Sequence, residues 1–499
     1  MKKLLHSLVA GASLLALSAQ AGPIQITVDP NTALCTNFLG FGVQWSPYPW
    51  FDITDQAWEN NFKRLDYMRP ALVRVMTRAY KYCDGFDAQG KPIYQWENNR
   101  MKKLYRLLAY CQQHNVVVII GEWDDPSSTG DRVDKAADKL QPYKIDCTDR
   151  RWSRLIGDFL EHLIKDKGYT CLKYYNLINE PNGSWSACAD FRKWNTAISN
   201  LHAELKQRDL IKFIQLTGPD SCQEEDSYWL DLAVRYSADH LGLYDVHEYA
   251  KVADVESGWL EVFYHTKRKF IDRYDWQGWK KPLVISEAGI ERTGPGDPQG
   301  GRDSQMRVYD PIYGILMSDY AIQCSRAGVA GILAWDLDDA MHIMNEDRGW
   351  PDIHKTLFKK WGFWNSLGNE IGHPEDTKLR PWFYSWSLMS RYFPAGCQIV
   401  QSSEIGVPGL RSLAARIGLN NFTIGLVNDS DKPQSLKVIF ADWKIGLSMK
   451  RYNYSSDDRL VNADGFPVPK QILSPADFAS GLAVELPARS FVLLTTLPD

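Results

Sequence analysis

Two glutamates stand where apolar runs stop. One run closes as Asn176-Leu177-Ile178-Asn179-Glu180-Pro181 and another as Val284-Ile285-Ser286-Glu287-Ala288-Gly289. A carboxylate next to a run with the composition of a buried strand carries a desolvation penalty unless it is paired or has a task. Two such carboxylates facing one another across a cavity form an acid/base pair. If one stays protonated and donates to a leaving oxygen while the other stays ionised and attacks, the pair cleaves an acetal through a covalent intermediate.

Other residues suggest how the two roles are divided. Arg74 lies in the run Leu72–Met76, and His247 and Tyr249 alternate in Tyr244–Tyr249, sharing one face while Glu248 takes the other. A cation and a phenol beside Glu287 would hold it as the carboxylate. Glu180 has no evident cationic partner and is free to stay protonated. Competing chemistries lack their signatures: there is no GxSxG, HExxH or phosphate loop. The nine cysteines show no CxxC and no Cys/His cluster at zinc spacing, so no metal and no cofactor is expected. The chain holds 19 Trp and 24 Tyr. Flat aromatic faces are suited to sugar rings, although a large aromatic core accounts for most of them.

Eight apolar runs must position these groups, at 38–45, 71–76, 116–121, 174–179, 213–218, 244–249, 282–287 and 330–335. Amphipathic stretches separate them; in 100–115, for example, Leu104, Leu107, Leu108 and Cys111 share one helical face. Near-continuously apolar strands alternating with helices imply a parallel sheet buried on both faces. Eight such units predict an α/β fold, a (β/α)8 TIM barrel. An open doubly wound sheet is disfavoured, because no Gly-rich loop follows the first strand. Barrel enzymes carry their chemistry at the C-terminal ends of the strands, which places Glu180 on the fourth and Glu287 on the seventh. From about residue 395 the pattern changes to short alternating segments split by Asn, Asp, Gly and Pro, predicting a C-terminal antiparallel β-sandwich. The expected organisation is a signal peptide at 1–21, a strand segment at 22–37 that joins the sandwich, the barrel at 38–393 and the sandwich at 394–499.

Composition sets the outer bounds. With 57 Lys+Arg and 61 Asp+Glu the net charge is −4, which argues against a nucleic-acid partner. The opening Met1–Gly22 has two lysines, an apolar stretch and Ala19-Gln20-Ala21, the three parts of a cleavable secretory signal. Export to the periplasm or the medium is expected, with no membrane span in the mature chain. One or two disulfides are open to an exported protein, and so are nine buried thiols. Oligomeric state has no signature here.

Asn179-Glu180-Pro181 on strand four, His247-Glu248-Tyr249 on strand six, Glu287 on strand seven and Trp335 on strand eight resemble the clan A retaining glycoside hydrolases. Within the clan, residues 176–185, Leu216–Asp220 and Val246–Tyr249 look most like the β-xylosidase/α-iduronidase family. Cellulase-like and glucosylceramidase-like families are near alternatives. The resemblance implies a glycosidase acting on a carbohydrate, a β-linked oligo- or polysaccharide, by double displacement. It assigns Glu180 as acid/base, Glu287 as nucleophile, and Asn179 as the ligand of the sugar 2-hydroxyl. Arg74 and Tyr249 would orient Glu287, and His247 and Trp335 would line the glycone subsite. Two features depart from the clan. Strand three ends Glu122-Trp123-Asp124-Asp125, where many members place a His or an Asn, leaving Trp123 and Asp124 as the contacts at that corner. Strand eight runs on as Asp336-Leu337-Asp338-Asp339, so Asp124 or Asp338 is expected to grip sugar hydroxyls, with an acidic rim that disfavours uronic acids. A catalytically inactive carbohydrate-binding barrel and a transglycosylase share these residues and stand as alternatives.

Overall fold

The computed structural model describes residues 23–123, 146–186, 188–292, 303–344, 352–478 and 480–498. Residues 1–22, which hold the expected signal peptide, and Asp124 lie outside these described residues. At the centre is a closed barrel of eight parallel strands. In chain order they are Gly40–Gln44, Leu72–Thr77, Val117–Glu122, Leu172–Asn176, Gln215–Ser221, Leu241–Ala250, Leu283–Ile290 and Gly331–Ala334, called here the first to eighth barrel strands. Each pairs in parallel with the next, and the eighth pairs with the first. These are the eight apolar runs of the sequence. They are largely apolar because helices cover their outer face while the barrel interior covers the other; every residue of Leu283–Ile290 is buried.

The barrel interior is layered, and the period-2 alternation of each strand sets the layers. Leu72, Ile119, Leu243, Val284 and Leu333 form an apolar plug. Two residues further along the same strands come Arg74, Gly121, Asp245 and Ser286, so the polar layer rests directly on the plug. Gly121 is there for space: a Cβ on it would lie 2.6 Å from the Asn176 carbonyl oxygen.

The second sheet has nine strands among the described residues. Its order is Gln471–Leu473, Met449–Tyr454, Ser490–Thr495, Asn421–Asn428, Leu410–Ile417, Gln398–Ser402, Ile24–Cys35, Gln434–Phe440 and Leu482–Leu486. All neighbours are antiparallel except Ile24–Cys35 with Gln434–Phe440. Leu473 and Leu482, from strands at opposite ends of this order, share one core with Ile26, Val28, Ile424 and Val438, so the sheet folds over as a sandwich. The outer face of the same sheet meets the barrel. In Ser490–Thr495, Val492 and Leu494 point into the sandwich core, whereas Phe491 and Leu493 join the barrel-side core. This is why helix Pro311–Arg326 is buried on every side from Tyr313 to Ser325 and reads as apolar all round.

No helix among the described residues is long and apolar enough to cross a membrane. All nine cysteines are buried, and the sulfurs of Cys147 and Cys188 stand 3.9 Å apart.

Candidate active site

Glu287 reaches the barrel mouth through an irregularity in its strand. Val284 faces the plug, so strict alternation would send Ser286 inward and Glu287 outward. The register of the seventh strand slips against the sixth between Ile285 and Glu287, leaving Ser286 as the extra residue of a bulge. Both side chains therefore point inward: Ser286 Oγ donates to Asp220 Oδ1 at 3.1 Å, and Glu287 stands level with His247.

Glu180 arrives differently. The fourth barrel strand stops at Asn176, and Glu180 lies in the loop beyond it. Neighbouring strands pin that loop: Asn179 N donates to the Glu122 carbonyl at 2.9 Å and Glu180 N to the Asp220 carbonyl at 3.2 Å. Glu180 itself has φ of 43°, in the left-handed region. A non-glycine residue held there costs about 1–2 kcal/mol, which the pinned loop must offset.

The two carboxylates converge. One oxygen of each, together with one nitrogen of His247, lies within 4.8 Å of the others. Arg74, fully buried, organises the floor beneath them. Its Nη1 donates to Glu287 Oε1 at 2.5 Å and to Gln44 Oε1 at 3.1 Å. Its Nη2 donates to Asn179 Oδ1 at 2.7 Å and to Asp220 Oδ2 at 2.6 Å. Tyr249 donates its hydroxyl to Glu287 Oε2 at 2.8 Å. Thus Arg74 and Tyr249 sit on the two oxygens of Glu287, as the sequence suggests, while the Asn179 amide nitrogen is left for the cavity. Glu287 is 5% exposed at its side chain and Glu180 14%, so both are reachable from the mouth.

His247 corrects one expectation. Glu180 does have a basic partner: His247 Nδ1 is 2.9 Å from Glu180 Oε1 and 3.4 Å from Glu287 Oε2. On its other side, Nε2 stands 3.0 Å from Asp220 Oδ1, close enough for an ion pair though off the line of a hydrogen bond. Burial alone would lower the imidazole pKa, but Glu287 and Asp220 push it up to about 10, so His247 is a cation at neutral pH. Burial raises the Glu287 carboxyl above the ordinary glutamate value, with His247 and Arg74 pulling against it and Glu180 adding to it. Burial likewise raises Tyr249, with Glu287 reinforcing it, so the phenol stays protonated and donates.

Asp220 is the residue that the sequence reading missed. It bridges Arg74, which holds Glu287, and His247, which holds Glu180. Burial would raise its carboxyl, but Arg74 and His247 keep it well below the usual range. Asp245 lies beneath it: Asp220 N donates to Asp245 Oδ1 at 3.0 Å. Burial and the Asp220 charge hold Asp245 well above its ordinary value, so it is the neutral member of the pair. A signal was present, since a carboxylate also stands just past the end of the fifth run, in Gly218-Pro219-Asp220.

Glu180, His247 and Glu287 are also the one group of three metal-type donors found this close among the described residues. The guanidinium on Glu287 and the imidazolium between the carboxylates already supply positive charge at that point, which disfavours a bound cation.

Aromatic rings form the adjoining wall. Trp335, 8% exposed, and Trp123 meet edge to face with centroids 5.7 Å apart, and the Arg74 guanidinium lies 5.9 Å from the Trp123 ring. Asp338 is not part of this wall. It is fully buried, accepting from Tyr48 Oη at 2.8 Å and from the backbone of Ser366 and Ala340, so it braces the loop after strand eight. Asp339 is likewise consumed by Arg380. The expected sugar grip by Asp338 is therefore corrected, and with it that residue's part in an acidic rim. The reason is local: its carboxylate satisfies backbone N–H groups that the turn leaves open.

No protein-family model matches the sequence, and no curated protein matches it. Solved structures do resemble its fold. A GH30 endoxylanase from Clostridium papyrosolvens C71 is 13% identical, with 95% of this chain and 100% of that chain covered at a TM-score of 0.63. A GH39 β-xylosidase from Caulobacter crescentus is 15% identical, with 95% and 100% covered at 0.60. A conserved exported protein from Bacteroides fragilis is 13% identical, with 94% and 99% covered at 0.61. The likeness runs over nearly the whole of each chain and is one of fold: a (β/α)8 barrel carrying a β-sandwich.

Proposed function

We propose that this protein is an exported retaining glycoside hydrolase acting on β-linked oligo- or polysaccharides. The observation that carries the reading is the pair of carboxylates within 4.8 Å of each other at the barrel mouth, one of them clamped on both oxygens by Arg74 and Tyr249. Retaining glycosidases hold their carboxyl groups about 5–5.5 Å apart and inverting ones about 6.5–9.5 Å. A nearest-oxygen approach this short leaves no room for a water between Glu287 and the anomeric carbon. In the first step Glu287 attacks that carbon, and Glu180 gives its proton to the departing oxygen. In the second, Glu180 takes a proton from water, which displaces Glu287 by attacking from the face that the aglycone left, so the configuration is restored. His247 steadies Glu180 in both states, and Arg74 releases Glu287 to the sugar and receives it again.

The xylanases and β-xylosidases among the structural neighbours make β-xylosides the first substrates to test. The signal-like opening segment supports export, which mass spectrometry of the secreted protein checks by finding a mature chain that starts at Gly22. The test of the chemistry is a panel of nitrophenyl glycosides and polysaccharides, with the first-formed anomer followed by NMR. Retained configuration is expected. An inverted first product would sink the mechanism, and turnover of no glycoside would favour a binding barrel instead.

A further inference from the structure

A second polar pair lies behind the aromatic wall. Asp336 follows Trp335, is fully buried, and has no hydrogen-bond partner on either carboxyl oxygen. Its nearest basic atom is His342 Nε2, 3.3 Å from Oδ2, itself buried and without a hydrogen bond. Buried polar groups with no partner are rare and ask for an explanation. The His342 ring stacks on Trp335 with centroids 4.7 Å apart and meets Trp123 edge to face at 5.5 Å. It is thus the third ring of the wall that begins beside Arg74. Its side chain keeps 13% of its surface, so one edge is open while the other faces Asp336.

We infer that His342 reads a ring hydroxyl of the sugar bound in the glycone subsite, and that Asp336 is the positioning residue that fixes its tautomer. This rests on the glycosidase reading above and narrows it. Glu180 and Glu287 bracket the anomeric carbon from strands four and seven. The wall of Trp335, Trp123 and His342 sits across the mouth, towards strands eight and three, where the end of the ring remote from that carbon must lie. The hydroxyls concerned are therefore O3 and O4. Asp336 faces Nε2 at 3.3 Å, so Nδ1 is the nitrogen left for the cavity. Burial keeps both members uncharged, lowering His342 and raising Asp336, with Asp339 and Asp338 adding to the latter. A neutral carboxylic acid donating to Nε2 leaves Nδ1 as an N–H donor, matched to a hydroxyl oxygen.

The experiment compares parent sugars with their deoxy forms. The probes are nitrophenyl β-D-xylopyranoside and β-D-glucopyranoside and their 3-deoxy and 4-deoxy analogues. kcat/KM is measured on wild type, and Kd on the Glu287→Gln background. In the wild type, loss of the hydroxyl that is read should lower kcat/KM by roughly 10- to 100-fold. In His342→Phe, which keeps the stacked ring without its nitrogens, that penalty should shrink to a few-fold. Asp336→Asn can still donate to Nε2 and should retain the penalty, whereas Asp336→Leu should lose it, with melting temperature recorded to confirm folding. An unchanged penalty in His342→Phe overturns the inference and leaves the glycosidase reading standing. Binding on the Glu287→Gln background that shows the hydroxyl dependence, without turnover by wild type, overturns the glycosidase reading alone. Binding of none of the probes overturns both.

Discussion

Glu287 and Glu180 differ in surroundings, and the difference assigns their roles. Glu287 has a donor on each oxygen, as a nucleophile needs; Glu180 has one bond to His247 and an open face. Replacing Glu287 by Ala should lower turnover on every substrate by on the order of 10⁴-fold or more. Glu180→Ala should spare glycosylation by a dinitrophenyl glycoside, which leaves without a proton, and then stall as the glycosyl-enzyme. Azide should rescue it and give a glycosyl azide of retained configuration, while azide attacking Glu287→Ala should give the inverted adduct. The anomeric configuration of each adduct, read by NMR, settles the assignment, and the reverse pattern would exchange the two roles. The pH dependence follows from the same contacts. Glu287 is raised by burial, so its carboxylate is lost as pH falls through a value above the ordinary glutamate range, and the acid limb of kcat/KM should lie there. His247 stays protonated up to about 10 because Glu287 and Asp220 face it. Asp220→Asn removes one of those charges, so the His247 pKa should fall and an alkaline limb should move down by about one pH unit or more. A profile identical to wild type would show that Asp220 does not act through His247.

At the scale of the element, the deciding feature is the bulge in the seventh barrel strand. Without the extra residue, the strand's alternation offers the interior only one of Ser286 and Glu287. Deleting Ser286 should drop the glutamate about 3.3 Å down the barrel, the rise of one residue, into the inward position that Ser286 now holds beside Asp220. Displacements of about 1 Å cost up to 10²-fold, so activity should fall by at least that factor while the circular dichroism spectrum is preserved. A deletion variant with near-normal turnover would mean that the bulge does not position the nucleophile. The same scale explains why Asp338 was misjudged. Its place after strand eight suggested the mouth, but the turn that follows uses its carboxylate as a cap.

Across the whole molecule, barrel and sandwich share a core instead of touching at a rim. Helix Pro311–Arg326 lies between them, and Asp319 on that helix is fully buried against Arg411 of the sandwich. Burial raises the Asp319 carboxyl to about 7 even with Arg411 beside it. Arg411→Ala would leave that carboxyl without its cation, and breaking a buried pair costs about 3–5 kcal/mol. Thermal or denaturant unfolding should therefore show a large loss of stability. The loss should deepen as pH rises from about 4 towards and beyond 7, because a raised carboxyl favours the folded state only while it is protonated. A variant as stable as wild type at pH 8 would show that the interface does not depend on the pair.

Much of the architecture was legible in the sequence alone. A parallel barrel strand is covered on both faces, so each of the eight strands is written as a continuous apolar run, and a sandwich strand is written as an alternation. The carboxylates at 180 and 287, Arg74, and the pair His247 and Tyr249 could be placed because strand ends and period-2 faces are local properties. What tertiary structure decided is everything that depends on a neighbour distant in the chain. Asp220 became the link between Arg74 and His247 only when strands two, five and six closed round the same cavity. His342 reached the ring wall beside Trp123 only because the loop after strand eight passes the end of strand three. Glu180 gained His247 across 67 residues of chain. Such contacts arise from closure of the sheet, which no short window of residues encodes. They depend on register, and in the seventh strand that register shifts by the one residue, Ser286, that turns Glu287 inward.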